Sequence, residues 1–577
     1  MQRTPLGLSV VTIGFLAVTA CLPGQPTSEP GGAPAAGTSP QLEKTLTVAI
    51  QREPSSFDGQ MTLDSTGGRT GGRNQIGPIT DAALTWTDEN GNRKMGMATE
   101  LHSQARGTWV LNPDGTMDVT WKLRPDVYWH DGTPVTSEDF VFRFMAVSDL
   151  GIVSTGGGRA DLIRSVTARD AQTFVSHWSS VFIGGQDGVP TAVAPLPKHI
   201  LGDVFARDPS ALSTHRYFTT EFVGTGAFRL VKWDQGSHME FERFERYFLG
   251  PPLIHRLLLR FINDPNTMVA NILSEAVDIL LPQGVDLGTA VEVRDRWRRD
   301  GTGHQVNAFV LFQHIQLELM LDPTYARPVN AWTQIPARQG LYSAIDRDQI
   351  AEVMTAGLSP AADSHYNPTD IYYPMVKDVI PRYPFDPRRA RELLAQAGYT
   401  PGPDGVLVHQ PSGERFETLF YTTASTEYTR AAAMIQDFWK SVGASTAVEV
   451  IIPANVDDNQ YIATRSGPLI HNPSGNNMYE SRVHSRRIPN PENRWTGNNR
   501  GRLNSPVVDE VIDKLASTID PAQQQALHRQ FVAETAGKVT AMPLYWETLP
   551  ILMLKGVSGP KIFGGVATRE IHTWDKN

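Results

Sequence analysis

Residues Met117–Phe144 read MDVTWKLRPDVYWHDGTPVTSEDFVFRF and hold three local signals in one short stretch. Val119, Trp121 and Leu123 alternate with Asp118, Thr120, Lys122 and Arg124, the two-residue period of a strand with one buried face. Pro125-Asp126 breaks that period. Asp131-Gly132-Thr133-Pro134 then predicts a tight turn, because glycine admits positive φ and proline fixes the exit. Thr136 with Asp139 three residues on makes a capping box, and Phe140, Val141, Phe144 and Met145 form the apolar stripe of the helix it opens. Upstream, Trp109 to Trp121 reads as a hairpin turned by Asn112-Pro113-Asp114-Gly115. The chain must accommodate strand, turn and capped helix, and many folds do so.

At 577 residues the chain exceeds one ordinary core, so two or three domains are expected. A net charge of −9, with no block of Lys or Arg, argues against a nucleic-acid partner. A single cysteine excludes internal disulfides and cysteine-based metal clusters. That cysteine has a telling address. Arg3 opens a short basic region, Leu6 to Val18 is an apolar signal-peptide core, and Val18-Thr19-Ala20-Cys21 resembles the lipobox of bacterial lipoproteins. Residues 1–20 are therefore expected to be a signal peptide, and Cys21 the lipidation site. Residues 21–44, rich in Pro, Gly and Ser, are an anchor and disordered tether with a reach of about 25–30 Å. Beyond the N-terminus no apolar run approaches the ~18 residues of a membrane helix.

The run L-R-P-D-V-Y-W-H-D-G-T-P-V-T-S-E-D-F-V-F resembles the signature of the bacterial extracellular solute-binding proteins of family 5, the peptide, nickel and opine receptors of ABC importers. Other stretches resemble the family in order. They are Leu46–Ile50 with the loop Glu53-Pro54 to Asp58; Ala82–Trp86 with the turn Asp88–Gly91; and Gly224-Thr225-Gly226-Ala227-Phe228, where Ala227 replaces the usual proline. Next come the helix opened by Asp264-Pro265 and the strand at Val277–Ile279, where Glu275 stands in place of the usual glycine. Ala344–Ile350 with Gly357 as helix stop follows, then the helix from Asp386 to Gly398 with the stripe Ala390, Leu393, Leu394 and Ala397. Ile435, Phe438, Trp439 and Val442 mark a further helix stopped at Gly443, before a strand at Ala447–Ile452, a helix–strand alternation suggesting βαβ units. Trp495-x-Gly497, Asn504-Ser505-Pro506-x-x-Asp509 and Pro543-Leu544-Tyr545-Trp546 complete the likeness.

The resemblance implies an α/β, type II periplasmic-binding-protein fold: two lobes about a hinge, with an extra α+β domain inserted in the first. The expected partition is 45–80, 191–308 and 541–577 for lobe I, 81–190 for the inserted domain and 309–540 for lobe II. It implies a monomeric, non-enzymatic receptor without cofactor or resident metal. Such a receptor would capture a peptide-like or oligosaccharide-like solute by lobe closure and deliver it to an ABC permease from a membrane anchor. A ligand-sensing or chaperone-like surface lipoprotein on the same fold is the alternative, and a secreted hydrolase would need a nucleophile–base pair that the sequence does not offer.

Ligand candidates are Phe57 and Trp86 from the first lobe, and Asn472, Asn476, Asn477, Tyr479 and Arg482 from the second. Peptide-binding relatives usually carry an aspartate in this second run to pair with the peptide amine. Here Leu469 to Tyr479 holds no carboxylate, and a buried ammonium without counter-charge is costly, which favours a neutral or anionic solute. An anion could reach Arg482 or Arg486. Gly67–Gly72 lacks the P-loop lysine and reads as a cleft loop rather than a phosphate site. His130-Asp131 reads as turn chemistry rather than a catalytic dyad. His471 and His484, thirteen residues apart on an expected loop, match no zinc spacing. Asp457/Asp458 and Asp509/Glu510 are expected on solvated faces.

Overall fold

The computed structural model describes residues 43–58, 61, 73–88, 92–150, 162–186, 195–282, 284–368, 370, 372–456, 458–472, 482–562 and 566–577. The signal-peptide and Cys21 expectations and the tether up to residue 42 lie outside these residues, as do those on Gly67–Gly72, Asp457, Asn476, Asn477 and Tyr479; Lys44, expected in the tether, is instead tied to Asp575 at 2.6 Å and to His255.

One ten-stranded sheet runs through the molecule. Numbered along the chain, its strands are β1 (Thr45–Ile50), β2 (Phe228–Asp234), β3 (His238–Arg243), β4 (Arg256–Phe261), β5 (Ile279–Leu280), β6 (Gln305–Glu318), β7 (Glu417–Thr422), β8 (Ser445–Val450), β9 (Leu469–His471) and β10 (Ala541–Met553). Their order is β8-β7-β9-β6-β10-β5-β1-β4-β3-β2. β1 pairs in parallel with β4 and β5, and β7 in parallel with β8 and β9. Helix Thr426–Ser441 crosses from β7 to β8, giving the predicted βαβ unit.

The long antiparallel pair β6–β10 joins two separate apolar cores. One end, with Leu549, Ile551 and Leu552, enters a core built on Leu46, Val48, Leu259 and Ile279. The other end, with Ile315, Leu317 and Leu544, enters a core built on Trp332, Leu341, Phe420 and Trp439. Between them the register from Gln305↔Met553 breaks at a bulge between Val310 and His314, opposite Thr548 and Trp546. A bulge interrupts the ladder and bends the strand at that point. A third cluster, with Tyr366, Val508, Ile512 and Phe531, is separate from both.

A four-stranded antiparallel sheet of Trp109–Leu111, Met117–Lys122, Thr173–Trp178 and Ile163–Asp170 packs on the first core. Trp121 and Phe174 are fully buried there, as the alternation predicts, and Gly115 turns the hairpin at φ +83°. The capping box forms: the Thr136 backbone N–H donates to Asp139 Oδ2 at 2.8 Å. The buried stripe of helix Ser137–Asp149 differs from expectation. Phe140 is buried, but so are Phe142 and Ala146, while Met145 is exposed. Helix Lys198–Arg207 packs on that flank and sets Phe205 edge-on to Phe142 at 5.4 Å, turning the buried face.

Two helix ends also differ. Ala356, not Gly357, is the left-handed cap of helix Arg347–Thr355 at φ +51°, and Gly357 follows at +72°. Glu275 takes φ +59° after helix Pro265–Leu273, so the backbone keeps the left-handed turn that a glycine would make without strain.

Candidate functional site

In open α/β sheets ligands sit beyond the carboxyl ends of the parallel strands. Around the β6–β10 crossing, those ends bring together Asn472 after β9, the start of helix Thr426–Ser441 after β7, and Asp286 after β5. Asn472 Nδ2 donates to the Glu547 carboxylate, 75 residues away in β10. Tyr545 O–H, two residues before Glu547, donates to Glu427 Oε1 at 2.7 Å. Asp286 caps helix Leu287–Asp300, accepting the Thr289 N–H at 2.9 Å.

These carboxylates feel one another. Loss of hydration around the Glu427 carboxyl pushes its pKa up, the Tyr545 hydrogen bond opposes that, and the charges of Glu547 and Asp286 push it further up. Glu427 nonetheless keeps solvent-exposed surface. Burial and the Glu427 charge together hold the Tyr545 phenol well above its usual range, so it remains a donor. Thr548 Oγ1, next to Glu547 in sequence and buried, has no hydrogen-bond partner among the described residues. The arrangement presents negative charge and neutral hydrogen-bonding groups to one space, which suits a cationic, hydrogen-bonding group.

The sequence-predicted residues fare differently. Asn472 is at this site. Phe57 stacks on Phe222 at 4.2 Å and meets Trp233 edge-on at 5.4 Å, so its ring belongs to first-core packing. Trp86 is half-buried in the short strand Thr85–Thr87, with an indole N–H that has no partner. Arg482 lines a cavity of about 30 Å³ with Gln316, Glu318 and His365, room for a water or two.

Leu469–His471 is a strand rather than a loop, because β6 and β7 flank it and pair Gln316 with His471. Burial drives the His471 pKa down to about 3. His484 lies elsewhere, with its Nδ1 accepting the Arg486 N–H at 3.2 Å. Among the described residues no group of three or more His, Cys, Asp or Glu is placed to hold a metal ion. Asp509 is not simply a solvated carboxylate: it accepts hydrogen bonds from Ser485, including its backbone N–H at 2.8 Å. Glu510 does face solvent, paired with Lys514.

His130 and Asp131 go to different partners. His130 Nδ1 accepts the Gly224 N–H at 3.1 Å, and Nε2–H donates to Gly226 C=O at 3.1 Å. Those roles require a neutral ring, and burial pushes the pKa down to about 4. Asp131 pairs with His199 at 2.8 Å. The glycines allow this contact: a Cβ on Gly224 would lie 2.0 Å from Thr80 C=O, and one on Gly226 2.3 Å from Thr80 C. The motif histidine thus holds one loop against another.

Sequence reasoning missed Glu547, Glu427, Tyr545 and Asp286. Glu547 left a signal, being the only charged residue in the apolar strand AMPLYWETLPILM. The carboxylates grouped near Asn472 come from a distant strand and helix.

Bacterial extracellular solute-binding proteins, family 5, match this chain over residues 103–490. The chain belongs to that family. Its curated relatives include the oligopeptide-binding protein AppA of Bacillus subtilis (strain 168), 23% identical over 455 residues, covering 77% of this chain and 75% of AppA. The nickel-binding periplasmic protein of Escherichia coli (strain K12) is 22% identical over 451 residues, covering 77% and 81%. The structure of AppA with a nonapeptide superposes with a TM-score of 0.67 at 19% identity, over 93% of this chain and all of that one. The ABC transporter substrate-binding protein CtaP of Listeria monocytogenes superposes with a TM-score of 0.74 at 16% identity, covering 92% and 99%. The fold is that of the periplasmic solute-binding proteins, and the family is one of transport receptors. No helix among the described residues is long and apolar enough to cross a membrane.

Proposed function

We propose that this chain is a monomeric, lipid-anchored receptor that encloses a solute carrying a cationic amine, such as an oligopeptide, and delivers it to an ABC permease. The observation that carries this reading is the Asn472–Glu547 pair beside Glu427, at the strand-end edge between the two cores. The cores act as lobes, and the β6–β10 bulge is the hinge. Closure follows when solute contacts favour the closed state over the open one. Glu547 and Glu427 take the role of the loop aspartate that peptide-binding relatives carry, and Trp86 is a further candidate contact from the sequence. Asn476, Asn477 and Tyr479 remain candidate solute contacts from the sequence. Cys21 carries the lipid that keeps the receptor beside its transporter.

The test is calorimetry with a peptide panel and its N-acetylated counterparts. Free-amine peptides should bind and acetylated ones should not. Affinity should fall as pH drops, because protonating Glu427, whose pKa is raised, removes negative charge from the site. Equal binding of both series at every pH would overturn the amine assignment. Mass spectrometry of the membrane-bound protein should find a diacylglycerol on Cys21, and an unmodified Cys21 would refute the anchor.

A further inference from the structure

A groove of about 500 Å³ runs along helix Leu287–Asp300 from Leu287, next to the Asp286 cap, to Arg298, and its volume is that of a small-molecule pocket. Val291, Arg294 and Arg298 recur every three or four residues on the helix and so share the face that lines it. Val306 of β6 contributes to the floor, and Leu358 and Lys561 complete the walls. Leu358 follows helix Arg347–Thr355, which packs with the second core, whereas helix Leu287–Asp300 packs with the first. The groove therefore has one wall on each side of the β6–β10 crossing.

Its chemistry is two-sided. Arg294 Nε donates to Asp295 at 3.0 Å, which leaves the rest of that guanidinium available. Arg298 is exposed and makes no ion pair among the described residues, so the helix face offers two guanidinium groups to the groove. Between these charges lie Val291, Val306 and Leu358, and Leu358 is 37% exposed, an apolar surface facing open space. Cations set around an apolar floor match an anion with an apolar body better than an inorganic ion or a sugar.

We propose that this groove is a second binding site, for an organic anion such as a carboxylate with an aliphatic or aromatic body. Because its walls belong to different halves, occupancy couples to the angle between them. That coupling rests on the hinge reading above, but the binding itself does not. An anion that fits the groove better at one angle biases the hinge toward that angle, and the solute and the anion then alter each other's affinity by the same factor.

The probe is phenylbutyrate, with phenylbutanol and inorganic phosphate as controls, titrated into the full chain and followed by thermal shift and calorimetry. Phenylbutyrate should bind saturably and the controls weakly. Arg298→Gln should weaken it by about three- to fivefold, the worth of one exposed ion pair, and Leu358→Ser by a similar factor. Both residues are exposed, so both variants should fold. Absent saturable binding, or binding unchanged in both variants, would overturn the site. Glu547→Gln should leave phenylbutyrate binding intact. Loss of peptide binding in Glu547→Gln with phenylbutyrate binding kept would support both sites, whereas unchanged peptide binding in that variant would indict the cleft reading and not the groove. Simple competition between a bound peptide and phenylbutyrate would refute two separate sites.

Discussion

The turn around His130 and the cleft edge around Asn472 are both polar and both rich in side chains able to do chemistry, yet they are built in opposite ways. Around His130 each polar group completes a structural tie. The ring bridges Gly224 and Gly226, and Asp139 accepts from the Thr136 N–H, the Lys198 N–H at 3.0 Å and the Trp129 indole at 3.4 Å. Around Asn472 the partners come from residues 75 apart, with Tyr545 and Glu427 118 apart, and like charges are held close enough to raise a carboxyl pKa. The first arrangement stabilises the fold. The second carries an electrostatic cost that a cationic partner would relieve. A strong motif thus marks where the backbone has few alternatives, and it need not mark where a ligand touches.

Substitutions can break this contrast. The largest effect should come from Gly226→Ala. Its Cβ would meet Thr80 C at 2.3 Å and Asp81 N at 2.5 Å, backbone on both counts, so the loops must part at a cost of about 3 kcal/mol or more. A urea midpoint unchanged from the parent would refute the close-approach argument. Asp139→Ala leaves several donors without their acceptor and should cost about 2–4 kcal/mol by the same denaturation measurement. If instead it lost solute binding at full stability, the signature would have a ligand role and the contrast would fail.

Asp81 gives a pH-dependent counterpart in the same region. Burial, then the charge of Asp58, pushes its carboxyl up to about 7, against the opposing hydrogen bond from Thr80. The folded state therefore keeps a proton that the unfolded chain releases near pH 4. The resulting stability is fully present below that pH and is lost as pH rises through 7. Asp81→Asn should remove this slope, so its stability relative to the parent should rise by on the order of 2–3 kcal/mol between pH 5 and pH 8. Parallel stability–pH curves would disprove the raised pKa. Glu547→Gln should have the smallest effect on the fold, within about 1 kcal/mol, while weakening an amine-bearing solute by about 2 kcal/mol, roughly thirtyfold in Kd. A variant equally weakened in stability and binding would place Glu547 with the structural ties.

Much of the fold was legible. The Trp121 alternation, the Thr136–Asp139 box, the Asn112–Gly115 turn and the helix from Asp386 to Ala397 depend on residues within a few positions of one another, where strand and helix periods are readable. Errors arose where another element intervened. Helix Lys198–Arg207 turned the buried face of Ser137–Asp149, and β6 and β7 captured Leu469–His471, which alone reads as a loop. Of the ligand candidates, Phe57 stacks on Phe222 and Asn472 meets Glu547. Glu547 and Glu427 went unread because nothing local ties them to Asn472.

The sequence by itself determined the local units, the family and the need for more than one core. The local units follow from residue periodicity, caps and turns, which act over short separations; the need for more than one core follows from chain length, and the family from the resemblance of its motifs. Only the tertiary structure decided that β6 and β10 would run antiparallel from one core to the other, and that a lone glutamate in an apolar strand would meet Asn472. Long-range strand pairing sets which side chains face the same space, and the charge of a site is the sum over those side chains, whatever their distance along the chain.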